Sequence, residues 1–416
     1  YEIMPSLVGS EMCIRDRFMF GLKKLNRCDV YLALNLLYSM QGLLYPSGAF
    51  NQMLQLIIII WGLVVFMRYI AVPARQTKFL KATSALVFMY CLYGGILIIF
   101  GNPLLDHIPN LPAKYIYLQS SLRSLLRIYV FFNYARAGYI TASRIRVYAM
   151  IFLLSLVPQF YYQQDQIMLA SDRDEVTNNM GYTFLSVIPM LFFFSKKPLI
   201  QYALLAITML FIIISMKRGA IAIGAIAVVA LIWSNLFSKD SKHKIWSLLF
   251  AVVLVMATVT VVSSMMAEGG YFAYRVEQTL SGDTSGRDEI YETLWTCILG
   301  ETNMFYMLFG RGANGTWAVS GDFAHQDWLE TLCNNGLVGG LILLGFYYRL
   351  LMDAFSSKAL FSKNYFIAYL VLFFIVFSKT LFSMSIQSME VSLSLLLGFF
   401  NFKLNQLNKC RLYKKA

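Results

Sequence analysis

The 416 residues of the chain would suffice for two or three soluble domains, but their composition excludes a soluble protein. Hydrophobic residues make up 58% and charged residues only 14%, whereas soluble domains carry about 25% charged residues. The formal net charge of +13 sits in short basic clusters between apolar runs, a pattern that sets membrane topology and does not indicate nucleic-acid binding. We therefore predict an all-α, polytopic membrane protein.

Runs of roughly 16–24 mostly apolar residues, about the length that crosses a bilayer core, predict twelve transmembrane helices. The runs lie near residues 30–46, 52–72, 80–100, 115–135, 145–162, 180–195, 198–216, 219–237, 245–263, 329–350, 365–382 and 386–402. The first and the sixth are short or interrupted by polar residues. Eleven or thirteen spans therefore remain alternatives.

The basic residues predict how these spans are oriented. Lys and Arg lie in every second connection, and the connections between are nearly free of them. Because cytoplasmic loops carry this excess, both termini are predicted to be cytoplasmic. Lys217 and Arg218 break the rule, since they lie in a tight connection on the outer side.

One outer connection is far longer than the others. Residues 264–328 form a loop of roughly 65 residues, well beyond the usual length of a connection. Its apolar and aromatic residues predict an ordered loop, with an amphipathic helix near 286–300. Residues 1–17 resemble translated sequencing adapter and are excluded from the fold prediction. The rest of the chain is divided into nine spans (18–263), the large loop (264–328), three spans (329–402) and a basic tail (403–416).

No sequence motif indicates a metal or a cofactor. The six cysteines form no CxxC pair and have no histidine at ligand spacing, and no nucleotide-sugar fold, Asp-x-Asp or Walker motif is present. Cys297 and Cys333 are expected on one side of the membrane, where two free thiols are favoured over a disulfide. A metal-independent protein without a cofactor is predicted.

Four short motifs follow one another in the second half of the chain. They are ISMKRGAIAIGAI (214–226), SGRDEIYETLW (285–295), LFGRGANGTW (308–317) and AHQDWLETLCNNGLVGGLILL (324–344). Their order, spacing and membrane side resemble the O-antigen polymerase and O-antigen ligase family. In this chain the family elements are Arg218–Gly219, Gly286–Arg287, Gly310–Gly312 and Ala324–His325 through Glu330. At position 326 the family more usually has Asn; Gln326 has the same amide group on a longer side chain.

The resemblance implies a glycosyltransferase that uses undecaprenyl-pyrophosphate-linked glycans at the periplasmic face of the inner membrane. A polymerase would pass a growing O-antigen or exopolysaccharide chain to the next lipid-linked unit, and a ligase would pass finished chains to a lipid A core. Polymerase is slightly favoured. Membrane lipids, a flippase and a chain-length regulator are further expected partners, and nucleic acid is not one.

A polysaccharide transporter or flippase is the alternative from another class, because intramembrane arginines are expected there too. Such proteins often show repeated halves and broken spans in matching positions, and neither is visible in this sequence.

Arg218, Arg287 and His325 are the predicted catalytic residues. The planar guanidinium of Arg binds phosphate oxygens bidentately, and His is the commonest general base near neutral pH. Each has a plain alternative interpretation: an interfacial residue for Arg218, a loop ion pair with Asp283 or Asp288 for Arg287, and a surface histidine for His325.

Four further residues are predicted to bind substrate. Arg123 and Arg127 lie one turn apart near the middle of the fourth span, where a charge costs about 2.5–3.5 kcal/mol, so they should face the bundle interior. Binding of the carrier pyrophosphate and a structural role, with Glu390 as a partner, are equal alternatives for this pair. Lys217 and Glu330 complete the predicted set.

Overall fold

The computed structural model describes residues 25–45, 48–72, 76–106, 113–170, 178–237, 241–267, 277 and 287–413. Throughout these ranges the chain is helical or irregular, without a strand, so the predicted all-α class is confirmed. The segment 1–17, Asp283 and Gly286 lie outside the described residues, as do the last three residues of the basic tail.

Sixteen α-helices follow one another in the described part of the chain. In chain order, α1 to α16 are Arg27–Ser39, Ala49–Ile70, Lys78–Phe100, Lys114–Arg136, Ala142–Ala170, Met180–Leu185, Ile188–Leu191, Pro198–Ile214, Arg218–Leu236, Ser241–Ala267, Arg287–Leu299, Met304–Phe309, Gly315–Ser320, Asp327–Ser356, Lys363–Phe382 and Val391–Tyr413.

Six of these helices are long and apolar enough to cross a membrane: α2, α3, α5, α9, α14 and α15. The predicted count of about twelve spans is not confirmed. The first predicted span corresponds to α1, which has only 13 residues. The sixth is divided into α6, α7 and a 3-10 turn at Phe192–Phe194.

Large apolar side chains are exposed along the outside of these long helices. Ile60 on α2, Leu92 and Ile99 on α3, and Leu154 on α5 are examples. Such extensive apolar surface would be unfavourable in water, and it is what lipid contact requires. The structure and the composition therefore both indicate a membrane protein.

Helix α4 is enclosed by other helices and is also one of the more polar helices. It packs against α2, α3 and α16, which surround it. Ser121, Ser124 and Arg127 are among its buried residues. A helix that other helices separate from lipid does not need to be apolar throughout, which explains why α4 is not among the six helices that are long and apolar enough to cross a membrane, although it has 23 residues.

The described part of the large predicted loop, from residue 287 onward, is helical. It contains α11, α12 and α13, and α11 confirms the helix predicted near 286–300. Ile290, Tyr291, Leu294 and Ile298 lie on one face of α11, and Leu294 is completely buried in a small cluster with Ala324, Leu329 and Cys333. This cluster fixes α11 against the first turns of α14.

Helix α14 has a kink, and the segment that follows α12 binds to it. Gly336 has non-helical backbone angles, with φ +64°, which interrupts the ladder of helical hydrogen bonds. The carbonyls of Cys333 and Asn334 instead accept hydrogen bonds from the backbone N–H groups of Arg311, at 2.8 Å, and Gly312, at 3.0 Å. We call residues 308–312 the clasp, because they bind the kink through backbone atoms.

Replacement of Gly336 by Ala should destabilise the protein by about 2 kcal/mol or more, because an L-residue is strained at positive φ. A Cβ at this position would also collide with the carbonyl oxygen of Leu308. Gly345, on the same helix, is the matched control, since a Cβ there meets nothing within 4 Å. In thermal unfolding in detergent, the midpoint temperature of Gly336→Ala should be lower than that of the native protein. The midpoint of Gly345→Ala should be unchanged. Equal midpoints would contradict the role of the kink.

Candidate functional site

Arg287 begins α11 and points toward the end of α15. Its Nη1 donates a hydrogen bond to the carbonyl oxygen of Phe382, the last residue of α15, at 3.2 Å. Tyr291 lies one turn later on α11, where burial raises the pKa of its hydroxyl and the charge of Arg287 opposes that rise. The guanidinium therefore lies at the junction of α11 with the end of α15.

The Lys217–Arg218 connection reaches the same junction from another side. Met216 has φ +54°, so the chain turns sharply before α9 begins at Arg218. Gly219 is packed so closely that an added Cβ would lie 2.9 Å from Phe382 Cβ and would collide with the hydroxyl of Tyr182. Phe382 is thus a neighbour of both Arg287 and the first turn of α9.

His325 lies immediately before α14, with φ +51° and a side chain that is 44% exposed. Its Nε2 is 3.9 Å from Oδ2 of Asp322. Burial lowers the pKa of the imidazole below its usual value, the charges of Arg287 and Lys217 lower it further, and Asp322 opposes them. The ring is therefore neutral near pH 7 and able to accept a proton. The structure brings His325, Arg287 and Lys217 close enough for their charges to interact.

The pH dependence of activity should reflect the charged residues that shift the pKa of His325. If neutral His325 acts as the base, activity is lost as pH falls through its pKa. The acidic limb of the pH profile of kcat/KM should then lie below about 6.5, the usual pKa of histidine. Asp322→Asn should move the limb to lower pH and Lys217→Met to higher pH. Each shift should be less than about one unit, because the half-exposed ring is screened by solvent. Two shifts in the same direction would contradict the assignment.

Glu330 is buried and its carboxylate makes three internal hydrogen bonds. Oε1 accepts from Thr316 Oγ1 at 2.9 Å and from Asn334 Nδ2 at 2.8 Å, and Oε2 accepts from the backbone N–H of Ala324 at 2.9 Å. Ala324 directly precedes His325, so these bonds hold the backbone from which the imidazole projects. Direct contact of Glu330 with substrate stays a prediction, whereas the observed bonds position His325.

Arg123 and Arg127 both turn away from the lipid. Arg127 is buried, as the sequence predicted, and donates hydrogen bonds to the carbonyl of Met389 and to Ser124 Oγ. Arg123 is half-buried, donates to the hydroxyl of Tyr38 and lies over that ring, with Cζ 4.5 Å from its centroid. The structure connects Arg127 to the site through the connection that contains Met389, and substrate binding by this pair stays a prediction.

That connection, residues 383–390 between α15 and α16, was not recognised in the sequence. Asp327 Oδ2 accepts hydrogen bonds from the backbone N–H groups of Ser385 and Ile386, at 2.9 and 3.1 Å. Because Asp327 lies two residues after His325, one carboxylate joins the segment that contains His325 to the 383–390 connection. An acidic residue in the first turn of a helix is too common a feature to have predicted this.

A buried ion pair at the same connection was also missed. Lys379 Nζ lies 2.6 Å from Glu390 Oε1 and also donates to the carbonyl of Ser388, at 3.2 Å. Glu390 was considered as a partner for Arg123 or Arg127, but its hydrogen bond goes to Lys379. Lys379 lies inside the span predicted at 365–382, so the rule that singled out the two arginines would also have found it.

Arg311 and its flanking glycines have a structural role in the described structure. Arg311 Nη2 is 2.5 Å from Glu301 Oε2, and its Cζ lies 5.4 Å from the centroid of Tyr306. The backbone N–H groups of Arg311 and Gly312 bind the kink in α14, so they are not free to bind a phosphate. Gly310–Gly312 therefore forms a structural turn against α14.

Within the part of the chain that the structure describes, no group of three or more His, Cys, Asp or Glu residues is placed to hold a metal ion. Cys297 and Cys333 are free thiols.

Comparison with known proteins locates the family resemblance in this same region. Residues 203–344 match the O-antigen ligase family, Wzy_C. The match spans about a third of the chain and includes Lys217, Arg218, Arg287, His325 and Glu330. No curated protein matches the chain. The resemblance to the O-antigen ligase and polymerase family, which the four motifs predicted, is confirmed by this match.

Proposed function

We propose that this membrane protein is a glycosyltransferase that transfers an undecaprenyl-pyrophosphate-linked glycan to an acceptor hydroxyl. The observation that carries the proposal is that His325, Arg287 and Lys217 lie close together near the end of α15, where Arg287 binds the carbonyl of Phe382 and Phe382 packs against the first turn of α9. A base next to cations is the combination required by a reaction that removes a proton and releases a pyrophosphate. The match to the O-antigen ligase family over residues 203–344 supports glycan handling.

In the proposed reaction, Arg218 and Arg287 hold the pyrophosphate of the donor. The bond between the sugar anomeric carbon and the phosphate oxygen breaks, and the leaving pyrophosphate gains negative charge. Guanidinium groups that are already in place stabilise this charge without reorganisation. Their planar fork can bind two oxygens at once, and Lys217 adds a further positive charge.

His325 takes the proton of the acceptor hydroxyl as that oxygen bonds to the anomeric carbon. The ring is neutral near pH 7 because its pKa is lowered, so a ring nitrogen can accept this proton. The resulting imidazolium is stabilised by Asp322, whose carboxylate lies 3.9 Å away. Glu330 and Asp327 act as positioning residues, because they hold the segments on either side of His325.

The acceptor is proposed to be a lipid-linked repeat unit, which makes the enzyme a polymerase; a lipid A core acceptor would make it a ligase. Glycan profiling of a deletion strain distinguishes the two. Single repeat units on lipid A are expected for a polymerase, and long chains retained on the carrier for a ligase. Loss of lipid-linked units from the outer leaflet would instead indicate a flippase and would contradict the proposal.

The proposed reaction requires the site to face the periplasm, with both termini in the cytoplasm. A reporter enzyme inserted after Gly321, an exposed residue between α13 and α14, tests this orientation. Alkaline phosphatase, which folds only outside the cytoplasm, should be active there. Activity of a cytoplasmic reporter at this position would contradict the proposed donor, since the site would then face the wrong compartment.

A further inference from the structure

The short helix α12 exposes an unusually apolar surface. Met304 and Phe305 are 64% and 63% exposed, and Phe309 is also exposed. No charged residue lies between Glu301 and Arg311, and these two bind one another. Large exposed apolar patches on a water-facing loop are unfavourable, so this face requires a partner.

A hydrogen bond attaches α12 to the side of α3, some distance before the residue at which α3 ends. Tyr93 Oη donates to the carbonyl oxygen of Phe309 at 2.6 Å. Tyr93 lies seven residues before Phe100, the last residue of α3, which corresponds to about 10 Å along the helix axis. The next residues return toward that end, where Asn102 Nδ2 donates to the carbonyl of Arg311 at 3.0 Å.

The second neighbouring helix, α14, is contacted at a similar distance from its own end. The clasp binds the carbonyls of Cys333 and Asn334. Cys333 lies six residues after Asp327, where α14 begins, or about 9 Å from that end of the helix. Both helices are long and apolar enough to cross a membrane.

Exposed apolar residues of both helices lie next to the contacts that hold α12. Leu92 and Ile96 of α3 are exposed near Tyr93, and Leu337 and Leu341 of α14 are exposed just beyond the kink. On membrane-crossing helices such surface contacts lipid. Because its neighbours on α3 and α14 contact lipid, lipid is also the partner that suits the exposed face of α12.

We propose that α12 is a re-entrant segment whose exposed face contacts the acyl chains of the bilayer. Inside a bilayer, backbone polar groups must be satisfied within the protein. Tyr93 donates to the carbonyl of Phe309, and the N–H of Gly310 donates to the carbonyl of Tyr306. The next two N–H groups donate to the carbonyls at the kink of α14. The inference does not depend on the proposed glycan transfer.

Photo-crosslinking in the full-length protein in native membranes tests the contact. p-Benzoylphenylalanine replaces Phe305, Leu92 or Asp322 in three separate variants. Mass spectrometry measures the fraction of chain that carries a phospholipid adduct, whose mass distinguishes it from an adduct of the polyisoprenoid donor. Leu92 is the control on a membrane-crossing helix, and Asp322 is the half-exposed polar control at the candidate site. The adduct fraction at Phe305 should be within about twofold of that at Leu92, and at least about fivefold above that at Asp322. These ratios reflect acyl-chain contact.

An adduct fraction at Phe305 equal to that at Asp322 would overturn the proposal. Cross-links between Phe305 and a second copy of the chain would also overturn it, because protein would then cover the patch. A variant at Met304, which is equally exposed, replaces the Phe305 variant if the latter does not accumulate in the membrane, and the same two outcomes apply.

Discussion

Replacement of His325 by Ala is expected to lower the turnover of glycan transfer by about 10²- to 10⁴-fold, the usual effect of removing a general base. The imidazole is the neutral group beside Arg287 and Lys217, and nothing in an alanine side chain can accept the proton of the acceptor. KM for the donor should change little, because the arginines that are proposed to bind its pyrophosphate remain.

Arg287→Ala should lower turnover by about 10²- to 10³-fold, as expected when one preorganised donor to a developing charge is removed. Arg287→Lys should also be impaired, because a point charge cannot reproduce a bidentate contact. The same change at Arg311 is the matched control, since Arg311 binds Glu301 and lies over Tyr306. Its loss should cost less than about tenfold.

The measurement is transfer by purified variants in detergent, supplied with lipid-linked donor and compared at equal amounts of folded protein. If His325→Ala and Arg287→Ala both retain near-native turnover, the proposed mechanism is wrong. An Arg311→Ala variant that loses as much activity as Arg287→Ala would show that the two arginines are not distinguished by the contacts described above.

Breaking the buried Lys379–Glu390 pair is expected to have the largest effect on stability. Both side chains are buried, at 3% and 8% exposure, and removal of one partner leaves the other charge uncompensated. Such changes typically cost about 3–5 kcal/mol. Glu390→Leu should be the more damaging single change, because it leaves two buried cations, Lys379 and Arg127. Lys379→Met leaves Glu390 with the nearby charge of Arg127.

The double variant Lys379→Met, Glu390→Leu separates a charge effect from a packing effect. Because it removes both charges, its free energy of unfolding should be closer to the native value than that of Glu390→Leu alone. Unfolding of the detergent-solubilised variants, followed by circular dichroism, provides the comparison. A double variant that loses the sum of the two single effects would show that the ion pair contributes no coupling.

Activity should follow stability in these variants, because the pair holds the connection that follows Phe382. Lys379 binds Ser388 and Glu390 in that connection, and Phe382 accepts the hydrogen bond from Arg287. We therefore expect Lys379 and Glu390 to act as positioning residues. Rescue of stability without rescue of activity in the double variant would indicate that one of the two charges contacts substrate.

The sequence alone determined the class of the protein, its family resemblance and the helix that begins at Arg287. Each depends on local information: apolar runs, basic clusters and short motifs in a fixed order. Hydropathy could not determine the number of spans in the same way. Buried α4 is polar because other helices separate it from lipid, and the sixth predicted span breaks into short pieces.

Only the tertiary structure showed which residues support the candidate site. Lys379 and Glu390 are close in sequence but their pairing depends on the turn between α15 and α16, and Asp327 reaches Ser385 from a different helix. Gly336 became informative only once its kink was seen to bind residues 308–312. The physical reason is common to all three. Hydrogen bonds between distant segments depend on how the helices pack, and helix packing leaves no periodic pattern in a single sequence.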